Sequence, residues 1–272
     1  MEIQEIQKKA NHIRKNIIRM LTEAKSGHPG GSLSMTDILA VLYFDQMKID
    51  PRNPKDPDRD RFVLSKGHGA PGLYATLAAR GFFPEAELYR LRKCGAMLQG
   101  HPDMKHTPGV DMSTGSLGQG LSAANGMALA GRLDEKDYRV YAMVGDGEIQ
   151  EGQFWEAAMS SAHYQLDHVT LFVDHNGLQI DGSNDEVMGV NPIPEKLRSF
   201  GWYVIEIDGH DYEAIRQAIL LAKTVKGQPT AIVAETIKGK GISFMENQAG
   251  WHGKAPSADQ SRQALEELER GV

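Results

Sequence analysis

Four short apolar runs in this chain each end in a polar turn rich in glycine, and that repeated sequel constrains the fold more than any other feature. Arg61–Ser65 runs into Lys66–Gly69, Arg139–Val144 into Gly145–Gly147, His168–Val173 into Asp174–Gly177, and Thr230–Thr236 into Lys238–Gly241. Runs of this length, rich in Val, Ile and Phe, read as buried strands, and Trp202–Ile207 reads as another. The segments between them are too long for hairpins and several repeat at helical spacing. The chain is therefore expected to form a doubly wound α/β fold, a mostly parallel sheet with helices on both faces. Ligands bind such sheets outside the carboxyl ends of the strands, which is where all four glycine-bearing turns fall.

The helical periodicity is clearest at the start, where Ile3, Ile6, Ala10, Ile13, Ile17, Leu21 and Ala24 share one face. That helix should stop at Ser26-Gly27-His28-Pro29-Gly30-Gly31, and a second should run from Met35 to Met47. Further helices are expected over Leu73–Arg80, Pro84–Lys93, Leu117–Gly131, Glu151–Tyr164, Tyr212–Val225 and Asp259–Arg270, the last capped by Asp259. Gly95–Ser116 is a long loop rich in Gly, Pro and His, of the kind that carries function. No repeat or linker divides the sequence, so residues 1–272 are expected to form a single domain. The formal net charge of −6 gives no general attraction for nucleic acid or anionic membrane, and neither is expected as a partner. One cysteine, Cys94, excludes an intrachain disulfide and suits a cytoplasmic location; the thiol reads as buried or neutral. The N-terminus resembles neither a signal peptide nor a membrane span.

The sharpest motif is Val144-Gly145-Asp146-Gly147-Glu148, followed by His175-Asn176 where the next strand ends. It brings one carboxylate and one amide oxygen to neighbouring strand ends. Such oxygen ligands suit Mg²⁺, which keeps its other positions for phosphate oxygens and water. Gly145 and Gly147 allow a diphosphate to approach the backbone. A dinucleotide site fits less well, because Gln150 stands where a third glycine is needed, and no Walker-type sequence occurs.

This span resembles the metal-diphosphate motif of thiamine-diphosphate enzymes, with His175 where many members carry Asn or Asp. Six further stretches resemble transketolase and occur in its order: Lys25–Gly31, Leu64–Gly69, Gly100–Pro102, Thr114–Gly120, Glu151–Ala157 and Trp251–Lys254. The resemblance implies the thiamine-diphosphate-binding fold of the diphosphate type. It implies Mg²⁺, with Ca²⁺ or Mn²⁺ able to substitute, held by Asp146, Asn176 and the Leu178 carbonyl. It places Gly115 and Leu117 against the cofactor, His68 by the diphosphate, and Glu151 at the interface between subunits. His101 is implied to meet the hydroxyls of a two-carbon unit, while His28 and His252 handle protons at substrate oxygens, His252 also touching the cofactor. His12, His163, His168 and His210 match no motif and read as structural; Asp181 reads as a turn residue, and His106 and His175 are left without a role.

The same resemblance implies a second, pyrimidine-binding domain that carries the glutamate for the aminopyrimidine ring and most of the sugar-phosphate contacts. The sequence ends soon after the first domain, in what reads as an exposed helix terminus at Leu265–Val272. A split enzyme is expected, with a separate C-terminal transketolase subunit in a two-plus-two heterotetramer. Its reaction would move a two-carbon ketol unit from a ketose phosphate to an aldose phosphate. The alternatives are a split transketolase for a sulfonated or branched donor, and a non-catalytic cofactor-binding subunit.

Overall fold

The computed structural model describes residues 1–271; Val272, the end of the stretch Leu265–Val272 read as an exposed helix terminus, lies outside them. Its frame is a parallel sheet of β1 (Arg61–Leu64), β2 (Val140–Gly145), β3 (Val169–His175), β6 (Tyr203–Asp208) and β7 (Thr230–Glu235), ordered β1-β2-β3-β7-β6. A two-stranded hairpin, β4 (Leu178–Gln179) and β5 (Gly182–Ser183), follows β3, and Asp181 lies in its turn. The five strands of the main sheet are those expected, displaced by a residue or so at their ends.

Alternation along the strands divides the core in two. Val140, Ala142 and Val144 of β2 face one side with Leu171 and Val173 of β3, packed against α5 (Gly120–Leu133), α6 (Gly152–His163) and α8 (Ile193–Ser199). Tyr141, Met143, Phe172 and Ile232 face the other, against α1 (Ile3–Ala24), α3 (Thr36–Val41), α4 (Ala70–Arg80), α9 (Tyr212–Thr224) and α10 (Ala258–Arg270). Burial on both faces is why β1, β2, β3 and β7 are almost uninterruptedly apolar, whereas β6, at the sheet edge, is only half-buried and carries Glu206 and Asp208.

Several local expectations are corrected. The glycines after α1 do not keep the chain out of a helix. Lys25, at φ 52°, ends α1, but a short helix, α2 (Pro29–Ser34), begins at once. Pro29 supplies the fixed φ of a first helical residue. Gly30 is there for close approach: a Cβ would stand 2.9 Å from Lys238 Cγ and 3.1 Å from the Trp251 carbonyl oxygen. The expected Met35–Met47 helix is α3 followed by a wider π-type turn, Leu42–Gln46. Glu85–Arg90 is a 3₁₀ stretch, and α5 starts at Gly120 because Gly118 (φ +81°) lies outside helical space. Ser257, not Asp259, caps α10: its Oγ accepts the Gln260 N–H at 3.3 Å while Gln260 Oε1 accepts the Ser257 N–H at 3.0 Å. Asp259 lies within the first turn, where a carboxylate favours the helix dipole. Ser183 builds a similar box on the one-turn α7 (Asn184–Val187), which was not anticipated, nor was α8. Cys94 is exposed rather than buried. Among the described residues no helix is long and apolar enough to cross a membrane.

Candidate active site at the strand ends

A cleft of about 250 Å³ opens over the carboxyl ends of β1, β2, β3 and β7. Lys66 and His68 enter it after β1, Gly145 to Glu148 after β2, Asn176 and Leu178 after β3, and Lys238 after β7; His101, Gly115, Leu117 and His252 close it from the loops. Parallel register sets Gly145 beside Asp174 and Asp174 beside Ala234, so neighbouring turns leave the sheet at one level.

Asp146 is buried, and its two oxygens accept the Gly147 N–H at 2.8 Å and the Gly177 N–H at 2.6 Å. No Lys, Arg or His among the described residues forms an ion pair with it. Burial, and then the neighbouring Asp174 carboxylate, push its pKa above the usual carboxylate range. A buried carboxylate without a cationic partner, facing a cleft that also holds the Asn176 amide and the Leu178 carbonyl, fits a divalent cation. Asn176 Oδ1 accepts the Leu178 N–H at 3.2 Å, which orders that turn.

Two buried hubs that the sequence reading did not single out hold these turns in place. Glu148 accepts Ser65 Oγ at 2.5 Å, the Gly118 N–H at 2.9 Å and the Gly145 N–H at 3.1 Å, tying together three of the loops that line the cleft. Asp174 accepts the Lys66 ammonium, Ser34 Oγ at 2.6 Å and the Thr236 hydroxyl. Burial acts to raise the Asp174 pKa, but Lys66 and the hydroxyl donors outweigh it and hold the carboxyl below its ordinary value. Lys66 also donates to the Gly31 carbonyl at 2.8 Å, which draws α2 to the sheet.

His28, His68 and His252 form a triangle of rings with centroids 5.1 to 5.4 Å apart. Burial, followed by nearby cations, lowers His28 and His252 to about 4 and His68 to about 2, so all three are neutral at physiological pH. His28 Nδ1 is buried with no partner. His101 is more exposed and lies against Gly115, where a Cβ would stand 3.2 Å from its ring. Glu151 is not in the cleft; it is exposed at the start of α6. His106 pairs with Asp103 at 2.5 Å in a separate hollow, and His175 pairs with Glu235 at 2.6 Å. His210 donates to Asp37 through Nδ1 at 2.8 Å and accepts the Ile237 N–H at 2.9 Å, a structural role as expected. Gln179 and Ile180 also line the cleft, and no sequence pattern marked them.

Residues 6–269 match the family described as transketolase, thiamine diphosphate binding domain. The chain belongs to this family. It is 48% identical over 266 residues to the 6-deoxy-6-sulfo-D-fructose transketolase subunit SqwG of Clostridium sp. (strain MSTE9), covering 98% of this chain and 97% of that one. It is 39% identical to an apulose-4-phosphate transketolase subunit from Phocaeicola vulgatus, covering 100% of this chain and 96% of that one. With rat transketolase it shares 43% identity over 98% of its own length but only 42% of that protein. The crystal structure of Campylobacter jejuni transketolase superposes with a TM-score of 0.93 at 33% identity, across 99% of this chain and 43% of that one. In this transketolase family the chain thus corresponds to a thiamine-diphosphate-binding portion that spans under half of the rat and Campylobacter proteins.

Proposed function

We propose that this chain is the diphosphate-binding subunit of a thiamine-diphosphate-dependent transketolase, that residues 1–272 act as one domain, and that it works in the cytoplasm with a separate subunit carrying the pyrimidine-binding domain. The observation that carries this reading is the convergence, in one cleft, of Asp146, Asn176 and the Leu178 carbonyl with His68, His101 and His252, against which the His28 ring packs. Asp146, Asn176 and Leu178 would hold Mg²⁺. Gly145, Gly147, Gly115, Leu117 and His68 would receive the cofactor. When bound, thiamine diphosphate supplies the electron sink for cleaving a carbon–carbon bond beside a carbonyl.

The protein's own contribution is orientation and proton handling. His28, His101 and His252 are side chains that, while neutral, can each donate at one ring nitrogen and accept at the other. Arranged around the cleft, they fit the successive hydroxyls and carbonyl of a ketose. Glu151, exposed beside the cleft, would face the partner subunit, in an assembly of two copies of each chain.

Two relatives of matching length are named for 6-deoxy-6-sulfo-D-fructose and apulose 4-phosphate, which favours an unusual ketose as donor over the common pentose phosphates. The test combines this chain, its candidate partner subunit, thiamine diphosphate and Mg²⁺. Two-carbon transfer is measured from xylulose 5-phosphate, 6-deoxy-6-sulfofructose and apulose 4-phosphate. Transfer with at least one donor, requiring both chains, is expected. Full activity from this chain alone, or none with any ketose despite bound cofactor, contradicts the reading.

A further inference from the structure

Lys238 is buried and has no carboxylate partner, yet its ammonium is closely placed. Nζ stands 3.0 Å from the Leu178 carbonyl oxygen and 3.1 Å from His252 Nδ1. The side chain lies where Gly30 leaves room, since a Cβ there would meet Lys238 Cγ at 2.9 Å and Cε at 3.2 Å. Its backbone is fixed from both sides. The Gly239 N–H donates to the Gly30 carbonyl at 3.0 Å, and the Ile237 N–H donates to His210 Nε2 at 2.9 Å.

An ammonium has three N–H donors and no acceptor, so in the contact with His252 the Nδ1 atom must accept. A neutral imidazole carries a single N–H, which must then be on Nε2. We propose that Lys238 is a positioning residue that locks His252 in its Nε2–H tautomer, so that His252 offers the cleft a hydrogen-bond donor and not an acceptor. A donor there suits a hydroxyl, a carbonyl or a phosphate oxygen and does not suit proton abstraction. His210, in the turn after β6, shows the opposite arrangement: Nε2 accepts the N–H of Ile237, the residue before Lys238, so its proton is on Nδ1, facing Asp37. The consequence for catalysis rests on the transketolase reading, but the tautomer does not.

The two ring nitrogens are told apart by long-range ¹H–¹⁵N correlation on the full ¹⁵N-histidine-labelled chain near neutral pH without cofactor, with His252→Gln and His210→Gln as assignment references. The expected result is a proton on Nε2 of His252 and on Nδ1 of His210. Lys238→Met should shift His252 toward a mixture of tautomers while His210 keeps its signature, and Lys238→Arg should restore the Nε2–H form. A proton on Nδ1 of His252 in the unaltered chain overturns the proposal, and so does a His252 signature unchanged in Lys238→Met. Because no activity is read, failure here leaves the transketolase reading standing. Loss of that reading in the transfer assay would leave the tautomer result intact.

Discussion

Glu148 accepts the Ser65 hydroxyl at 2.5 Å across the gap between the turns that follow β1 and β2, and the same carboxylate also takes the N–H groups of Gly118 and Gly145. Burial pushes its pKa up while these donors pull it down. Glu148→Ala strands two buried N–H groups and a hydroxyl, each at a cost of about 1–3 kcal/mol. Urea unfolding should show a loss of at least about 3 kcal/mol, with Glu148→Gln much less damaging because it keeps the acceptor at one oxygen. Equal losses for both variants would mean that charge, not these three bonds, is what matters.

Lys66 and Asp174 form an ion pair in which both side chains are almost completely buried. Removing one partner leaves the other charge uncompensated, at a cost of about 3–5 kcal/mol. Lys66→Met should lower stability by that amount. Lys66→Met combined with Asp174→Leu should recover part of it. A Lys66→Met chain with an unchanged unfolding midpoint would show that Asp174 is compensated by its hydroxyl donors alone.

Gly67 is a glycine for reasons of space. A Cβ would lie 2.8 Å from Gly115 N and 2.9 Å from the Thr114 carbonyl oxygen, both backbone atoms of the loop that carries Leu117. Gly67→Ala must displace that loop, at about 1–3 kcal/mol. The expected outcome is a modest fall in melting temperature and a larger fall in cofactor affinity, measured on the same sample. A variant with unaltered affinity would show that the Gly115–Leu117 loop does not contribute to binding.

The three ring neighbours His28, His68 and His252 have folded-state pKa values depressed by burial, to about 4, 2 and 4. The unfolded chain takes up protons at these residues near the ordinary histidine value of about 6.5, and the folded chain does not. As pH falls below that value the unfolded state is therefore favoured, and the loss levels off for His28 and His252 once their folded values are passed. Without cofactor, melting temperature should fall between roughly pH 6.5 and pH 4. The slope should be shallower in the His28→Gln, His252→Gln double variant. The same slope in both would assign the acid sensitivity to other groups.

Sheet order aside, much of the frame was readable, because strands buried on two faces leave long apolar runs and the glycine-bearing turns mark their ends. Asp146, Asn176, His68, His101 and His252 were readable as motif members, and the structure brings them to one cleft. What the sequence concealed was set by tertiary packing. Gly30 and Gly31 look like helix stops, yet α2 includes them because Lys238 and Lys66 approach that helix. Lys66, Glu148 and Asp174 look like ordinary surface charges until the parallel register buries them together. Glu151 has the right motif but faces solvent.

Equilibrium binding of thiamine diphosphate to the chain assembled with its candidate partner subunit, with and without Mg²⁺, tests the central claim most directly. The unaltered chain should bind far more tightly with Mg²⁺. Asp146→Ala, and to a lesser degree Asn176→Ala, should abolish that dependence while circular dichroism and melting show the chain still folded. Mg²⁺-dependent binding of unchanged strength in Asp146→Ala would contradict the account.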